Sequence, residues 1–271
     1  MNEKEILDAT TDIAKEIAQD VYVDLIRPVA KPTGEILGLV PRAIKAALSP
    51  LEKWILQREY NIAEIRALLE EKLRNVSPDL IEAPEPYIAI PTMQHMSYCM
   101  DNSDLRNMYA NLLASSMKKD IKDEVHPAYV EIIKQLCPDE ARILQYLLVH
   151  NTIPIVGVKY YLKNGTSGRF MPGFDVIAKF AKCEYPHNGR QYFDNLIRLG
   201  FIRESNHPWF FDDWSFDKVI EEENVQKQYN SFCEWESVAT VEYVKEVYEI
   251  TAFCERFIDV CVDVPNPDMY D

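Results

Sequence analysis

The sequence predicts a mainly α protein: N-terminal amphipathic helices, a central helical core and an α+β part toward the C-terminus. Three observations predict it. Apolar residues recur at helical spacing over long stretches, glycine is scarce at 8 in 271 residues, and β-branched, aromatic runs appear only after His150.

Residues 4–26 carry Ile6, Ile13, Ile17, Val21 and Leu25 near every third, fourth or seventh place, and Pro28 and Pro32 interrupt the predicted helix. In TGEILGLVPRAIKAALSPLEKWIL, residues 33–56, Thr33 and Gly34 can start a helix with Glu35 near its positive end. Leu37, Val40, Ile44, Leu48, Leu51 and Ile55 keep a 3.5-like period that Pro41 and Pro50 cut into short pieces. A spanning helix wants about 20 largely uncharged residues, and Arg42, Lys45 and Lys53 interrupt any such run. Two readings stand: an interfacial helix, with Leu37, Val40, Ile44, Leu48, Leu51 and Trp54 as its membrane or partner face, or packing within a helical bundle. A further helix, about 58–74, ends before Ser77-Pro78. IEAPEPYIAIP, residues 81–91, has three prolines and reads as an extended linker and a domain boundary.

Two helices follow, TMQHMSYCM and DLRNMYANLLASSM. In the second, Leu105, Met108, Tyr109, Leu112, Leu113 and Met117 form one stripe, Asp104, Asn107, Asn111 and Lys118 mark the other face, and Ala110, Ala114 and Ser115 fill much of the rest. Asn102 or Ser103 can cap it. Small residues allow close helix approach, and a buried Asn111 must find hydrogen-bond partners. That makes Asn111 a structural pin, or else a contact for a partner or ligand. Tyr109 is expected buried with its hydroxyl paired. KKDIKDEV reads as a polar loop. HPAYVEIIKQL places Pro127 at the first helical position, and CPDEARILQYLLVH repeats the device with Pro138, then Asp139 and Glu140 in the first turn. Cys137 holds the cap position, where Ser or Asp would do better.

After His150, TIPIVGVKYYL reads as a strand, NGTSGRFMPG as a turn-rich loop and FDVIAKFAK as a short helix. PHNGRQYFDNLIRLG is a stronger helix with Gly200 as its stop, and FIRE follows as a strand. Residues 206–238 look irregular or partly helical, 243–251 a strand, AFCERFIDVCV a helix and DVPNPDMYD a tail. Helix, helix, helix, strand, insertion, strand is the order of a winged-helix unit, whose third helix enters the major groove in DNA-binding examples. Here that helix offers Arg190 and Arg198 while the insertion, DDWSFDKVIEEEN, is acidic. The expected organisation is 1–80 amphipathic helices, 81–138 helical core, 139–265 winged-helix-like domain with an acidic insertion, and 266–271 tail.

The net charge is −15, and no cluster of Lys and Arg stands out for a phosphate groove, so nucleic acid is an unlikely partner. Six cysteines show neither C-x-x-C spacing nor a dense secreted framework. The start, MNEKEILDAT, lacks the apolar stretch of a signal peptide. A cytoplasmic protein is expected, with peripheral contact at the inner membrane if 33–56 is interfacial. The five histidines (95, 126, 150, 187 and 207) are scattered, and no H-E-x-x-H, G-x-S-x-G, P-loop or G-x-G-x-x-G occurs. Asp123, Glu124 and His126 make the strongest acid–base cluster, an arrangement a hydrolase or nuclease would use; charged loops also produce such clusters by chance. The residues point to no catalytic group, cofactor or metal.

Residues 87–144 resemble the Abi-alpha (abortive infection alpha) family of bacterial proteins. Ile90-Pro91, LRNMYANLLASSM, HPAYVEIIKQL and PDEARIL carry the resemblance. YFDNLIRLGFI and YEITAFCERFIDVC look like the family's C-terminal half, and LSPLEKWI and EEKLRNV like its N-terminal helices. Cys137 stands where Ser or Thr is expected and Cys254 where Gly is expected, which puts a cap and a tight turn in question. The resemblance marks Tyr109, Asn111, Leu112, His126 and Pro127 as motif residues of structural character. It implies defence against phage without defining an activity: a non-enzymatic protein acting through a protein partner, a phage-derived trigger or a membrane. A winged-helix regulatory or DNA-binding protein is the alternative.

Overall fold

The computed structural model describes residues 59–150, 152–205 and 213–264. The expected helices at 4–26 and 33–56, with the face from Leu37 to Trp54, and the tail 266–271 lie outside the described residues. The chain packs as two compact units that divide between Gln135 and Leu136.

In the first unit, α1 (Glu59–Lys72), α2 (Pro86–Met96) and α4 (Ala128–Lys134) all pack against α3 (Ser103–Ser116). Asn102 caps α3 through its side-chain oxygen, which accepts the Leu105 N–H at 3.0 Å. Met108, Tyr109, Leu112, Leu113 and, just past the helix, Met117 are buried, and the small Ala110, Ala114 and Ser115 are buried beside them. Small side chains let three neighbours surround one helix. Ile65, Leu69 and Leu73 supply the facing apolar stripe of α1 and its end. Arg106 on α3 reaches back to α1, its Nη1 donating to Glu64 Oε1 at 2.9 Å and to the Met100 carbonyl at 2.8 Å.

The linker expected at 81–91 is corrected: only its first half is extended. Glu82 N–H donates to the Met117 carbonyl and Lys119 N–H to Leu80, so that half is laced to the end of α3. From Pro86 the chain is helical. Pro86 sits in the first turn, where its missing N–H costs nothing, so only Pro91 removes an internal bond. At the next residue, the Thr92 hydroxyl donates to the Ile88 carbonyl at 2.6 Å. The expected polar loop at 118–125 includes a short 3-10 turn, Lys122–Glu124.

The second unit overturns the mainly α expectation: the fold is mixed α+β. Helices α5 (Pro138–Val149), α6 (Gly173–Phe180) and α7 (Gly189–Arg198) accompany a four-stranded antiparallel sheet ordered β2-β1-β4-β3. Its strands are β1 (Thr152–Leu162), β2 (Ser167–Phe170), β3 (Ile202–Glu204) and β4 (Val238–Ile250). β1 and β4 pair from Thr152↔Glu249 to Leu162↔Val238. That ladder makes β4 longer than its 243–251 signal, and it turns part of the predicted loop 164–173 into β2. Pro154 is tolerated because β2 reaches only Val158–Tyr161, which leaves β1 with one neighbour at that level.

The inner end of one sheet face rests on α6 and α7, where the Phe174 ring lies 5.0 Å from Phe193 and 5.6 Å from Tyr248. The approach leaves no room for side chains at two glycines. A Cβ on Gly173 would lie 2.5 Å from the Val156 backbone nitrogen, and one on Gly189 would strike the Phe174 carbonyl. α7 ends as expected at Gly200, φ +75°, with Gly200 N–H bonded to Ile197 and Phe201 N–H to Leu196. The other face is covered by α8 (Asp213–Ile220) and α9 (Glu223–Cys233), both within the stretch expected to be irregular or partly helical. The Lys245 ammonium stands 5.2 Å over the Phe216 ring, and Tyr229 stacks 4.5 Å from Tyr243. α10 (Ala252–Cys261) closes the unit. Cys254 sits buried in its first turn, where its N–H reaches the Thr251 cap hydroxyl at 3.2 Å, so no glycine-type turn is needed there.

Candidate functional site

The densest polar cluster lies at the start of α5, in the PDEARIL piece. Asp139 is only 4% exposed. Its carboxylate accepts the Glu184 N–H at 2.7 Å, the Tyr185 N–H at 2.9 Å, the Tyr192 hydroxyl at 2.9 Å and Arg142 Nη1 at 2.9 Å. Burial alone pushes its pKa up. The two backbone N–H groups, Tyr192 and Arg142 outweigh that and hold it below the ordinary carboxylate value.

Glu140, equally buried, spends both oxygens. Oε2 accepts the Cys137 N–H at 2.7 Å, the backbone half of a capping box. Oε1 accepts the Asn195 amide at 2.8 Å, and Asn195 in turn accepts Arg198 Nε at 3.0 Å. Burial dominates here and raises the Glu140 pKa. Two adjacent carboxylates are thus pushed in opposite directions by the number of donors each meets.

Two thiols border the cluster. The Cys183 Sγ donates to the Asp139 carbonyl at 3.4 Å. Burial pushes Cys137 up to about 11 and Cys183 up to about 12, so both are thiols at neutral pH and poor nucleophiles. A carboxylate saturated by four donors and held below its usual pKa is likewise a poor general base. The cluster joins α5, the 183–185 turn and α7.

That turn carries strain. Lys182 has φ 59°, and Lys182 and Cys183 donate to Lys179 and Ala178, so a lysine fills the left-handed position that glycine usually takes. Its side chain is exposed. Lys182→Gly is expected to stabilise the protein by about 0.5–1 kcal/mol net of glycine's larger unfolded-state entropy, read as a raised midpoint in urea at unchanged slope.

The motif residues of the first unit occupy a different cluster. Tyr109 is buried and its hydroxyl approaches the Val130 carbonyl at 3.4 Å. The His95 ring stacks 6.4 Å from Tyr109, and His95 Nε2 faces Glu131 at 3.6 Å, so Glu131 meets a histidine as well as solvent. Cys99 donates to the Met96 carbonyl at 3.4 Å, and burial lifts its pKa to about 11. Leu112 is fully buried and Asn111 half-buried on the same helix. His126 and Pro127 are exposed, and His126 Nδ1 accepts the Ala128 N–H at 3.1 Å at the start of α4. Asp123 and Glu124 are exposed on the preceding 3-10 turn.

On α7, Arg190 Nε pairs with Asp194 at 3.0 Å, and Arg198 serves Asn195. The sheet surface beside β2 is equally charged: Tyr161 donates to Glu242 at 2.8 Å, Lys159 stands 4.7 Å over the Tyr161 ring, and Arg169 pairs with Glu246. Among the described residues, no group of three or more His, Cys, Asp or Glu is placed to hold a metal ion, and no helix is long and apolar enough to cross a membrane.

The sequence places Cys137 at the cap and Asp139 and Glu140 in the first turn of α5; C-x-x-E before an apolar run is capping-box spacing, the signal that could have joined Cys137 to Glu140. Nothing in sequence marks Asp139 as a hub, because three of its four donors lie 45, 46 and 53 residues away.

The family model described as abortive infection alpha matches residues 57–261 and so spans both units. No curated protein matches. Among solved structures, an uncharacterized protein from the hydrocarbon-degrading marine bacterium Alcanivorax borkumensis SK2 aligns over 50% of this chain and 92% of its own, at 13% identity. Its TM-score of 0.32 is too low for the likeness to carry an argument.

Proposed function

Because the chain belongs to the abortive infection alpha family, we propose that it is a bacterial phage-defence protein that works without catalysis, through protein contacts or membrane association of its N-terminal segment. The family match over 57–261 supports the phage-defence part of the reading. Two features support the contact mode. The buried carboxylates at the start of α5 are consumed by internal hydrogen bonds, and the motif helix α3 is consumed by packing. Large aromatic side chains remain exposed on the surface, Trp235 and Phe170 among them.

The test is phage challenge of bacteria expressing the intact protein or a variant lacking residues 1–58. The cut falls before α1, because α1 covers α3. The intact protein is expected to protect cultures at low phage dose and to let them collapse at high dose. Loss of protection by the soluble shortened protein assigns the effector role to the N-terminal segment; retention assigns it to surfaces of 59–264. Absence of protection against a broad phage panel overturns the reading.

A further inference from the structure

At the outer end of the sheet, four aromatic side chains share one face. The Tyr160 ring lies 4.5 Å from Phe232 and 5.7 Å from Trp235, and Phe232 stacks on Trp235 at 6.3 Å. Tyr160 opposes Gly168 across the ladder, and its ring occupies the space a Cβ there would need. Phe170, two residues on, points to the same face. Trp235 is 51% exposed and Phe170 48%. The platform is held in place: the 234–237 turn is anchored by the Lys163 N–H on the Ser237 carbonyl at 2.9 Å.

Two further features adjoin it. β2 is a terminal strand, and among the described residues its outer edge has no partner strand. Glu234 and Glu236, both exposed, flank Trp235 in a chain of net charge −15. Arg169 of β2 lies on the opposite face, tied to Glu246.

We propose that this edge docks an extended, arginine-bearing segment of a partner protein, added as a further strand along β2. The exposed backbone edge supplies main-chain hydrogen bonds. The indole is the strongest cation–π platform among side chains, and a guanidinium stacked on Trp235 can meet the Glu234 or Glu236 carboxylate in its own plane. Charge complementarity selects a basic segment over an acidic one. The inference rests on the reading that the protein acts through contacts, and it names the partner's chemistry.

The test uses the full chain at 150 mM salt and a fluorescein-labelled synthetic peptide alternating arginine and valine, followed by anisotropy. Saturable binding is expected. Glutamate in place of arginine, or methylation of the edge-facing peptide nitrogens, should each weaken it at least tenfold. So should Trp235→Ala and the double variant Glu234→Gln/Glu236→Gln, which leaves the packing intact. Glu71→Gln in the first unit should change nothing. Absence of binding, or equal loss with Glu71→Gln, overturns the proposal. So does binding that appears only after residues 1–58 are removed, since the chain's own segment would then hold the site. A Trp235-dependent dimer in sedimentation also overturns it. Failure here with phage protection intact refutes the docking edge and leaves the defence reading; Trp235-dependent binding without protection does the reverse.

Discussion

Asp139→Ala is expected to destabilise the protein by about 3–5 kcal/mol, the range for removing one member of a buried, fully paired ionic cluster. Removal strands the N–H groups of Glu184 and Tyr185 at a site 4% exposed and leaves the Tyr192 hydroxyl only the Tyr185 carbonyl at 3.2 Å. Asp139→Asn keeps the shape but turns a donor toward donors, and should fall between alanine and the native protein. The pH dependence separates charge from shape. The Asp139 pKa is depressed on folding, so its stabilisation is complete above the unfolded value of about 3.9 and vanishes as pH falls through the lower folded value. The gap between native protein and Asp139→Asn should therefore close in acid. Glu140 runs the other way. Its folded pKa is raised, so its contribution is lost as pH rises through that value, and Glu140→Gln should gain on the native protein toward neutral pH. Urea unfolding at several pH values reads all three. A gap for Asp139→Asn that stays constant down to strong acid would refute an ionised hub.

Local chemistry was readable where it is self-contained. The stripe from Leu105 to Met117, the Asn102 cap, the Pro138-Asp139-Glu140 start and the Gly200 stop each depend on neighbours within one or two helical turns, and the structure shows them. β2 was not readable: Ser167-Gly168-Arg169-Phe170 has little strand propensity, and its extension is imposed by register with β1. The first half of β4 carries β-branched Val238, Thr240 and Val241, but its extent is fixed by pairing of Val238–Glu242 with Lys159–Leu162. These two strand segments complete the four-stranded sheet that makes the fold α+β and not mainly α. Pro86 and Pro91 mislead in the opposite direction, because a proline in a first turn looks the same in sequence as a proline in a linker, and Pro91 inside the helix reads as a break. The Asp139 hub is legible only once residues 184, 185 and 192 are folded onto it.

The second large effect is expected in α3. Leu112 has no exposed surface, on a helix that α1, α2 and α4 all pack against, so Leu112→Ala should cost about 2–5 kcal/mol through lost burial and the cavity left behind. Tyr109→Phe, one turn back on the same stripe, keeps the ring and its stacking on His95. It removes only a hydroxyl 3.4 Å from the Val130 carbonyl, worth about 1 kcal/mol or less. The pair distinguishes a packing motif from half of an active site. If the motif exists for packing, protection against phage follows stability: Leu112→Ala, taking about 2–5 kcal/mol from a total of about 5–15 kcal/mol, lowers both together, while Tyr109→Phe keeps both. If Tyr109 performs chemistry, Tyr109→Phe loses protection at nearly native stability, as measured by urea unfolding beside phage plating. The geometry favours packing, because the hydroxyl is buried among helices and burial drives its pKa far above the range in which a phenol exchanges protons at neutral pH.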